Sequence, residues 1–328
     1  MRSFVNALLL IPIFLKMVYN VFVVNEMRYK PFLWRALKQL QKKHGEKIPQ
    51  HYKKRFDLYT KIATIFICWM ETLHGEKLSK KQTQMALLFC GLTPLFDDLL
   101  DEEHYSAEEL YLLSRKQPQR NTLMEKICVG LFEEMEKLRT DMGWTSRWQE
   151  AMTYQISSQK QFGRELSNDE IKDITYGKGG YALLLYLDAI LPDGYSKAEG
   201  EAIFQMGALI QLTNDIFDIY KDSRAGLSTL ATRCTDVQKL SDYYHSEIEK
   251  NMQQFRALDY SPFHIRKFLL QYQLVMSRGK VALGQLLALQ KKAGGNFNPD
   301  RFSRRDLICD MEPWRNIRKS LLLTIRAV

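Results

Sequence analysis

Apolar side chains recur every three to four residues from about Tyr29 to the end of this 328-residue chain. No segment alternates apolar and polar residues in the manner of a half-buried strand. The observed spacing places apolar side chains on one face of an α-helix. Residues that interrupt helices are few, with 17 glycines and 9 prolines. The pattern predicts an all-α fold, a bundle of roughly ten or more helices around a substantial core.

No Gly/Ser/Pro-rich linker, low-complexity run or repeat divides the chain. The sequence therefore predicts a single domain over residues 26–328, preceded by an apolar extension over residues 1–25. About a dozen apolar residues precede Lys16, fewer than a bilayer-spanning helix needs, and no small-residue cleavage site follows them. We expect the extension to cap the core or to make peripheral contact with a membrane surface.

The net charge of +9 favours an anionic partner, which is nucleic acid, a phosphorylated small molecule or an anionic membrane surface. The basic residues are spread along the chain without the interleaved aromatics of RNA-binding modules, so we expect no nucleic-acid partner. Five cysteines lie far apart in apolar helical stretches, which is typical of reduced core residues in a cytoplasmic protein.

Three helix starts carry the capping-box pattern, a serine followed three residues later by a glutamate. The pairs are Ser106 with Glu109, Ser167 with Glu170, and Ser196 with Glu199. The third pair opens a predicted helix that runs from about Lys197 to Asp222, with Gly226 as the expected stop just beyond it.

Three glycines precede a strongly apolar run in "DITYGKGGYALLLYLDAIL". Gly177, Gly179 and Gly180 weaken a helix at this point, because glycine loses more backbone entropy than other residues. They predict a helix break where backbone or ligand comes close.

Acidic side chains gather at the end of the helix "KKQTQMALLFCGLTPLFDDLLDEE". Asp97 and Asp101 are one helical turn apart, as are Asp98 and Glu102. Carboxylates at this spacing suit hard cations such as Mg²⁺, which prefer oxygen ligands. The alternative is a solvated acidic helix end.

A second polar stripe follows the apolar run "AIFQMGALIQL". Asn214, Asp218 and Asp222 are spaced by four residues and share one helix face. Like charges gathered beside a core need a compensating cation, and Lys221 accounts for only one of them. Two such stripes on different helices are expected to clamp Mg²⁺ ions and a diphosphate.

The two stripes resemble known motifs. "NDIFDIYKD" resembles the NDxxSxxKE metal-binding motif of class I terpene synthases, and "DDLLD" resembles their DDxxD motif. "QLTNDIFD" is also similar to the QxxDDxxD segment of trans-prenyltransferases, and "YGKGGYALLLYLDAIL" to their lysine-containing helix break. The resemblance covers residues 92–230, about two-fifths of the chain, and it implies a single-domain bundle of the class I isoprenoid synthase type.

The resemblance also implies site residues. The metal ligands would be Asp97, Asp98, Asp101, Asn214, Asp218 and Asp222, with Glu102 beside the first group. Lys221 and Lys178 would contact the diphosphate as catalytic residues, and the substrate-binding residues would be Gln211, Phe96, Tyr181, Phe217 and Arg315. The family has an arginine sensor upstream of the second motif, where this chain has Lys172, with Arg164 as a substitute. The implied cofactor is Mg²⁺, three ions per site, with Mn²⁺ as an alternative.

The implied activity is that of a terpene synthase that ionises an allylic prenyl diphosphate. Leu92 and Thr93 are not the aromatic plugs that shorten some family pockets, which permits a C15 or longer chain. Aromatic side chains would shield the carbocation from water. The candidates are Phe66, Trp69, Phe96, Tyr181, Tyr186, Phe217 and Tyr220.

Three alternatives stay open at this point. One is a chain-elongating prenyltransferase, although Arg115, Lys116 and Arg120 come later after the first motif than that family's basic cluster. The second is head-to-head coupling as in squalene or phytoene synthases. The third is a cation-binding helical interaction protein without activity. The sequence leaves the product and the oligomeric state open, with a homodimer as one option.

Overall fold

The computed structural model describes residues 2–139, 145–163, 165–191 and 193–328. It is 79% helical, and no strand occurs among the described residues, which confirms the all-α prediction. An isolated antiparallel bridge joins Phe162 and Leu227. Arg164, named above as a substitute sensor, lies outside the described residues.

The helices follow one another along the chain with short connections. They are α1 (Arg2–Tyr19), α2 (Lys30–His44), α3 (Gln50–His74), α4 (Lys80–Asp101), α5 (Ala107–Ser114), α6 (Leu123–Leu138), α7 (Thr145–Ser157), α8 (Asn168–Ile190), α9 (Lys197–Phe217), α10 (Ile219–Arg224), α11 (Val237–Arg256), α12 (Pro262–Lys292), α13 (Arg304–Leu307) and α14 (Trp314–Ala327). A π-helical segment, Asn20–Tyr29, joins α1 to α2.

The chain divides into two compact units, each of which packs mainly within itself. The first unit comprises Met1–Ile13, Tyr154–Leu184 and Tyr195–Val328. The second unit comprises Phe14–Thr153 and Leu185–Gly194. The division predicted at residue 25 remains a prediction.

In the second unit, α4 packs between α3 and α6. Its core is aliphatic, with Leu37, Met70, Leu95 and Leu131 fully buried. This packing positions the carboxyl end of α4, where the first acidic motif lies, against α3.

In the first unit, α9 packs against α11 and α12, and α12 also packs against α14. Tyr244 is fully buried among these helices. Its hydroxyl lies 2.7 Å from Thr213 Oγ1 and donates to the carbonyl of Met276 at 3.1 Å. These bonds satisfy a buried hydroxyl and position the middle of α9, which leads into the second motif.

Two of the three predicted capping boxes form reciprocally, at Ser106 and at Ser167. At the third, the Ser196 hydroxyl accepts from the Glu199 backbone N–H. The buried Glu199 carboxylate accepts from the Tyr260 hydroxyl at 2.6 Å. A tertiary hydrogen bond therefore engages the Glu199 side chain at this helix start.

The helix predicted to run unbroken from Lys197 to Asp222 is interrupted at Asp218. Asp218 has φ −87° and ψ 6°, outside helical geometry, although its N–H still bonds to the Asn214 carbonyl at 2.8 Å. Backbone bonding resumes at once, since the Asp222 N–H bonds to the Asp218 carbonyl at 2.8 Å. The interruption divides the second motif at its central carboxylate, between α9 and α10.

The predicted helix break at Gly177, Gly179 and Gly180 is wrong, because α8 runs through all three. A Cβ on Gly179 would overlap the backbone oxygen of Gly207, and a Cβ on Gly207 would overlap that of Gly179. Gly179 and Gly180 therefore serve close packing of α8 on α9, and Gly177 serves packing on Tyr154 of α7. This packing offsets the entropic cost of glycine in a helix.

The Gly179→Ala variant is expected to lose about 1–3 kcal/mol of unfolding free energy, because the added methyl overlaps backbone that cannot move aside. Gly284 of α12 is the matched control, since its Cβ would meet no atom within 4 Å. Gly284→Ala should stabilise the protein by about 0.5–1 kcal/mol through helix propensity. Urea denaturation measures both, and equal effects of the two variants would contradict the close-packing account.

Candidate functional site

The first motif lies at the carboxyl end of α4 and is neutralised in part by Arg55 of α3. The buried Asp98 forms an ion pair with the Arg55 guanidinium. Arg55 also lies 3.4 Å from Asp97 Oδ2, and the Tyr59 hydroxyl donates to the same oxygen at 3.0 Å. Burial, and next the negative charge of Asp97, raise the pKa of Tyr59, which therefore stays a hydrogen-bond donor.

The outer half of the first motif faces solvent. Asp101 and Glu102 are exposed, because α4 ends at Asp101. The predicted stripe therefore has two different ends, because Arg55 and Tyr59 of α3 contact Asp97 and Asp98 whereas Asp101 and Glu102 are exposed.

The second motif contains a buried carboxylate that the sequence reasoning did not select. Asp215 accepts from Gln211 Nε2 at 2.9 Å and from Thr175 Oγ1 at 3.3 Å. Burial raises the pKa of Asp215 to about 6, and the positive charge of Lys178 opposes that rise. Gln211, predicted to bind substrate, thus has a structural partner on its own helix face.

The three predicted ligands of this motif differ in exposure. Asn214 is exposed, Asp218 is half-buried and Asp222 is buried. Asn214 Nδ2 donates to Asp218 Oδ2 at 3.4 Å. Burial raises the pKa of Asp222 to about 7, with further contributions from the charges of Asp215 and Asp218.

Two lysines act on these carboxylates. The charges of Lys221 and Lys178 both lower the pKa of Asp222, although they do not cancel the effect of burial. The charge of Lys178 also lowers the pKa of Asp215. The positive charge of Lys178 of α8 therefore acts on two carboxylates of the second motif, while its predicted contact with a diphosphate remains a prediction. Lys221 is exposed, so its ammonium is open to solvent.

Lys172 stands where the family resemblance calls for an arginine sensor. Its ammonium lies over the rings of Tyr176 and Tyr243, at 5.3 Å and 5.2 Å from their centroids. The Tyr176 and Tyr243 hydroxyls are 2.6 Å apart. Two aromatic faces therefore hold this cation.

The predicted substrate-binding aromatics occupy different environments. Phe96 is buried in the second unit, with edge-on contacts to Phe132 and Trp148 at 6.2 Å and 4.9 Å. In the first unit, Tyr181 stacks on Tyr154 at 5.3 Å. Phe217 is half-buried, and the Arg278 guanidinium lies 5.9 Å from its ring centroid.

Arg315, predicted to close over substrate, is exposed at the start of α14. Burial, and then the charge of Asp310, raise the pKa of the Cys309 thiol, while Lys319, Arg278 and Arg315 lower it. The positive charges of Arg278 and Arg315 therefore both favour the thiolate form of Cys309. Because Arg278 also contacts Phe217, it is a cation beside the second motif that sequence reasoning missed.

Missed residues include Arg55, Tyr59, Asp215, Thr175 and Arg278. Spacing signals existed for two pairs, since Arg55 with Tyr59 and Gln211 with Asp215 are each four residues apart. No spacing links Thr175 or Arg278 to the motifs, because tertiary packing alone brings them there.

Among the described residues, no three or more His, Cys, Asp or Glu side chains form a group that could hold a metal ion. Mg²⁺ is usually bound through one or two carboxylates together with substrate phosphates and waters. The oxygen donors of the second motif, Asn214, Asp218 and Asp222, fit that mode of binding.

Comparison with models of known protein families gave no match. Comparison with the sequences of curated proteins also gave no match.

Proposed function

We propose that the protein is a class I terpene synthase, a Mg²⁺-dependent lyase that ionises an allylic prenyl diphosphate of C15 or longer and forms a terpene hydrocarbon or alcohol. The observation that carries the proposal is the crowding of three carboxylates at the second motif, where Asp215 and Asp222 are buried and Asp218 is half-buried. Burial and neighbouring carboxylates raise the pKa of Asp222 to about 7 despite two nearby lysines. Carboxylates whose ionised form is disfavoured in this way gain the most stabilisation from a bound cation.

The metal would be held by Asn214, Asp218 and Asp222 in the second motif. Asp97, Asp98 and Asp101 would be the metal ligands of the first motif. When bound, Mg²⁺ would supply Lewis-acid polarisation of the diphosphate oxygens. At the first motif, Arg55 already pairs with Asp98 and lies near Asp97, so a bound metal would share these carboxylates with the guanidinium or displace it.

The chain's own cations would hold the diphosphate. Lys178 acts on Asp215 and Asp222, and the exposed Lys221 follows the central carboxylate of the motif by three residues. An ammonium beside carboxylates stays charged and can donate three hydrogen bonds to phosphate oxygens. Arg278 and Arg315 would add positive charge at the same end of the first unit.

The prenyl chain would lie against apolar and aromatic side chains. Phe217 and Tyr181 are half-buried, so parts of their rings remain accessible. Aromatic faces stabilise a carbocation and exclude water from it. Gln211 would act indirectly, because its amide orients the Asp215 carboxylate.

An elongating prenyltransferase is the second candidate, and the contacts of the basic residues after the first motif argue against it. Arg120 pairs with Glu109 at 2.6 Å and donates to the carbonyls of Glu103 and His104. Lys116 pairs with Glu136 at 2.6 Å. These cations already have partners, so neither is poised for a second diphosphate.

The distinguishing experiment incubates purified protein with geranyl, farnesyl or geranylgeranyl diphosphate, with and without Mg²⁺ and isopentenyl diphosphate. Released diphosphate and organic products are followed by mass spectrometry. Mg²⁺-dependent hydrocarbon or alcohol from one allylic substrate alone supports the terpene synthase. Products that need isopentenyl diphosphate, or C30 or C40 coupling products, support the prenyltransferases. Cation binding without turnover supports the non-catalytic interaction protein.

The Lys221→Ala variant is expected to weaken binding of inorganic diphosphate by about tenfold while changing Mg²⁺ affinity less, because an ammonium pairs with phosphate and not with a metal. Isothermal titration calorimetry measures both affinities. Lys197→Ala is the matched control, since Lys197 is a solvent-exposed lysine of the same unit. A larger loss for Mg²⁺ than for diphosphate would reassign Lys221 to an ion pair within the motif.

We also propose a cytoplasmic location with peripheral membrane contact. Among the described residues, one helical stretch, Phe4–His44, has the length and apolar composition needed to cross a membrane. Its apolar 18-residue window has a mean hydropathy of 2.2 and is 17% buried. The expectation that the N-terminal stretch is too short to span was wrong, because the helix continues past Lys16.

A further inference from the structure

The N-terminal helix α1 exposes an apolar surface along one side. Phe4, Leu8 and Ile11 are 68%, 56% and 60% exposed. Their spacing of four and three residues aligns them on one face of the helix, named here the outer face. An exposed stripe of large apolar side chains on a packed helix marks an interaction surface.

The opposite side of α1 is attached to the first unit. Leu10 and Ile13 are buried there, together with Asn6. Asn6 Nδ2 donates to the Ile325 carbonyl of α14 at 2.9 Å. Arg266 of α12 donates to Asn6 Oδ1 from two nitrogens, at 3.1 Å and 2.8 Å. Because these bonds hold α1 along the unit's surface, crossing a bilayer would break them and leave Asn6 unpaired in hydrocarbon.

The three helices joined at Asn6 carry a one-sided charge. Together α1, α12 and α14 contain twelve lysines and arginines and no aspartate or glutamate. The whole chain has a net charge of +9, so the rest of the chain is net negative by three. The positive charge of the protein is therefore concentrated on the elements that hold the outer face. Lys267, next to Arg266, lies 4.0 Å from the ring centroid of the exposed Phe263.

A second copy of the chain fits this surface poorly. Pairing two copies through this face would bring like charges together, because each copy carries Arg266 and Lys267 next to the attachment of α1 at Asn6. A nucleic acid would match the charge but would leave the apolar outer face uncovered.

We propose that the outer face docks on an anionic lipid bilayer, with α1 lying in the plane of the interface. The apolar side chains enter the boundary between headgroups and acyl chains. Arg266, which bonds to Asn6, its neighbour Lys267, and Arg326, which follows Ile325, attract acidic headgroups. This combination of an apolar stripe and basic side chains at its attachment matches a bilayer in both hydrophobicity and charge. The inference does not depend on the proposed catalytic activity.

The test is co-sedimentation of the full chain with vesicles of phosphatidylcholine alone or with about one-third phosphatidylserine, without Mg²⁺ or prenyl diphosphate. The test variant is Leu8→Asp with Ile11→Asp. The control variant is Phe162→Asp with Ile308→Asp, which adds the same charge at two other exposed apolar positions. Circular dichroism verifies that both variants are folded.

The proposal expects the wild type and the control to bind anionic vesicles about tenfold more tightly than neutral ones, with binding weakened by salt. The test variant should lose about tenfold in that binding. Equal loss in the control, or no preference for anionic vesicles, would overturn the proposal. So would resistance to alkaline carbonate extraction, which indicates a spanning helix, or a dimer in analytical ultracentrifugation that only the test variant dissociates.

Because no step of this test involves turnover, its failure and the failure of the terpene synthase assay are separate outcomes. A protein that binds anionic vesicles but turns over no prenyl diphosphate would retain the docking surface and lose the catalytic proposal. The reverse result would remove the docking surface alone.

Discussion

The Asp222→Asn variant is expected to lose about 100-fold or more in Mg²⁺-dependent diphosphate release while becoming more stable without metal. The loss of activity follows from removing a charged ligand of the second motif. The gain in stability follows from removing a carboxylate that the fold disfavours in its ionised form. Steady-state diphosphate release and thermal unfolding measure the two effects.

The sign of the stability effect comes from the raised pKa of Asp222, about 7 in the folded protein. An ordinary aspartate in the unfolded chain titrates near 3.9. Between these values the folded state binds more protons than the unfolded state, so stability falls as the pH rises from about 4 to about 7. Above pH 7 the ionised carboxylate costs on the order of 2–4 kcal/mol, which the amide avoids.

The matched control for this variant is Asp259→Asn, which neutralises an exposed carboxylate of the same unit. It should change neither activity nor the pH dependence of stability. Addition of Mg²⁺ with inorganic diphosphate should raise the melting temperature of the wild type and not of Asp222→Asn. Full activity in Asp222→Asn would remove this residue from the metal ligands, and unchanged stability at pH 8 would contradict its raised pKa.

The Arg55→Met variant is expected to lose about 3–5 kcal/mol of unfolding free energy, because it leaves the buried Asp98 carboxylate without its ion-pair partner. Asp98→Leu alone should cost less, since Arg55 keeps its contact with Asp97 and a third of its side chain reaches solvent. Urea denaturation without metal measures each variant.

The double variant, Arg55→Met with Asp98→Leu, provides the control. Replacing both partners of a buried pair with apolar side chains is often neutral, so the double variant should recover most of the stability that Arg55→Met loses. Additive losses in the double variant would show that Arg55 and Asp98 do not interact.

Much of the candidate site could be predicted from spacing along the chain. The acids of both motifs follow helical periodicity, so their grouping on helix faces is a local property. Asp215 escaped notice because it lies on the inner side of the same helix, where apolar residues are expected. Thr175 and Gln211 stabilise it there, and the Thr175 contact exists only once α8 packs on α9.

The glycines of α8 show the limit of such reasoning. Sequence alone gives the intrinsic cost of glycine in a helix, and that cost predicts a break. The fold keeps the helix intact because Gly179 and Gly207 bring two backbones together, and the packing gained exceeds the cost. Whether the packing gain or the entropic cost of glycine is larger depends on the partner helix α9, which lies outside the local sequence around the glycines.

The sequence by itself determined the helical class, two of the three capping boxes and the residues of the two acidic motifs, because these depend on neighbours within a few positions. The tertiary structure alone decided that Arg55 pairs with Asp98, that Asn6 attaches α1 to α12 and α14, and that Asp222 is buried enough to resist ionisation. Those outcomes arise from contacts between distant segments and from the loss of water around a charge, and neither is written in local spacing.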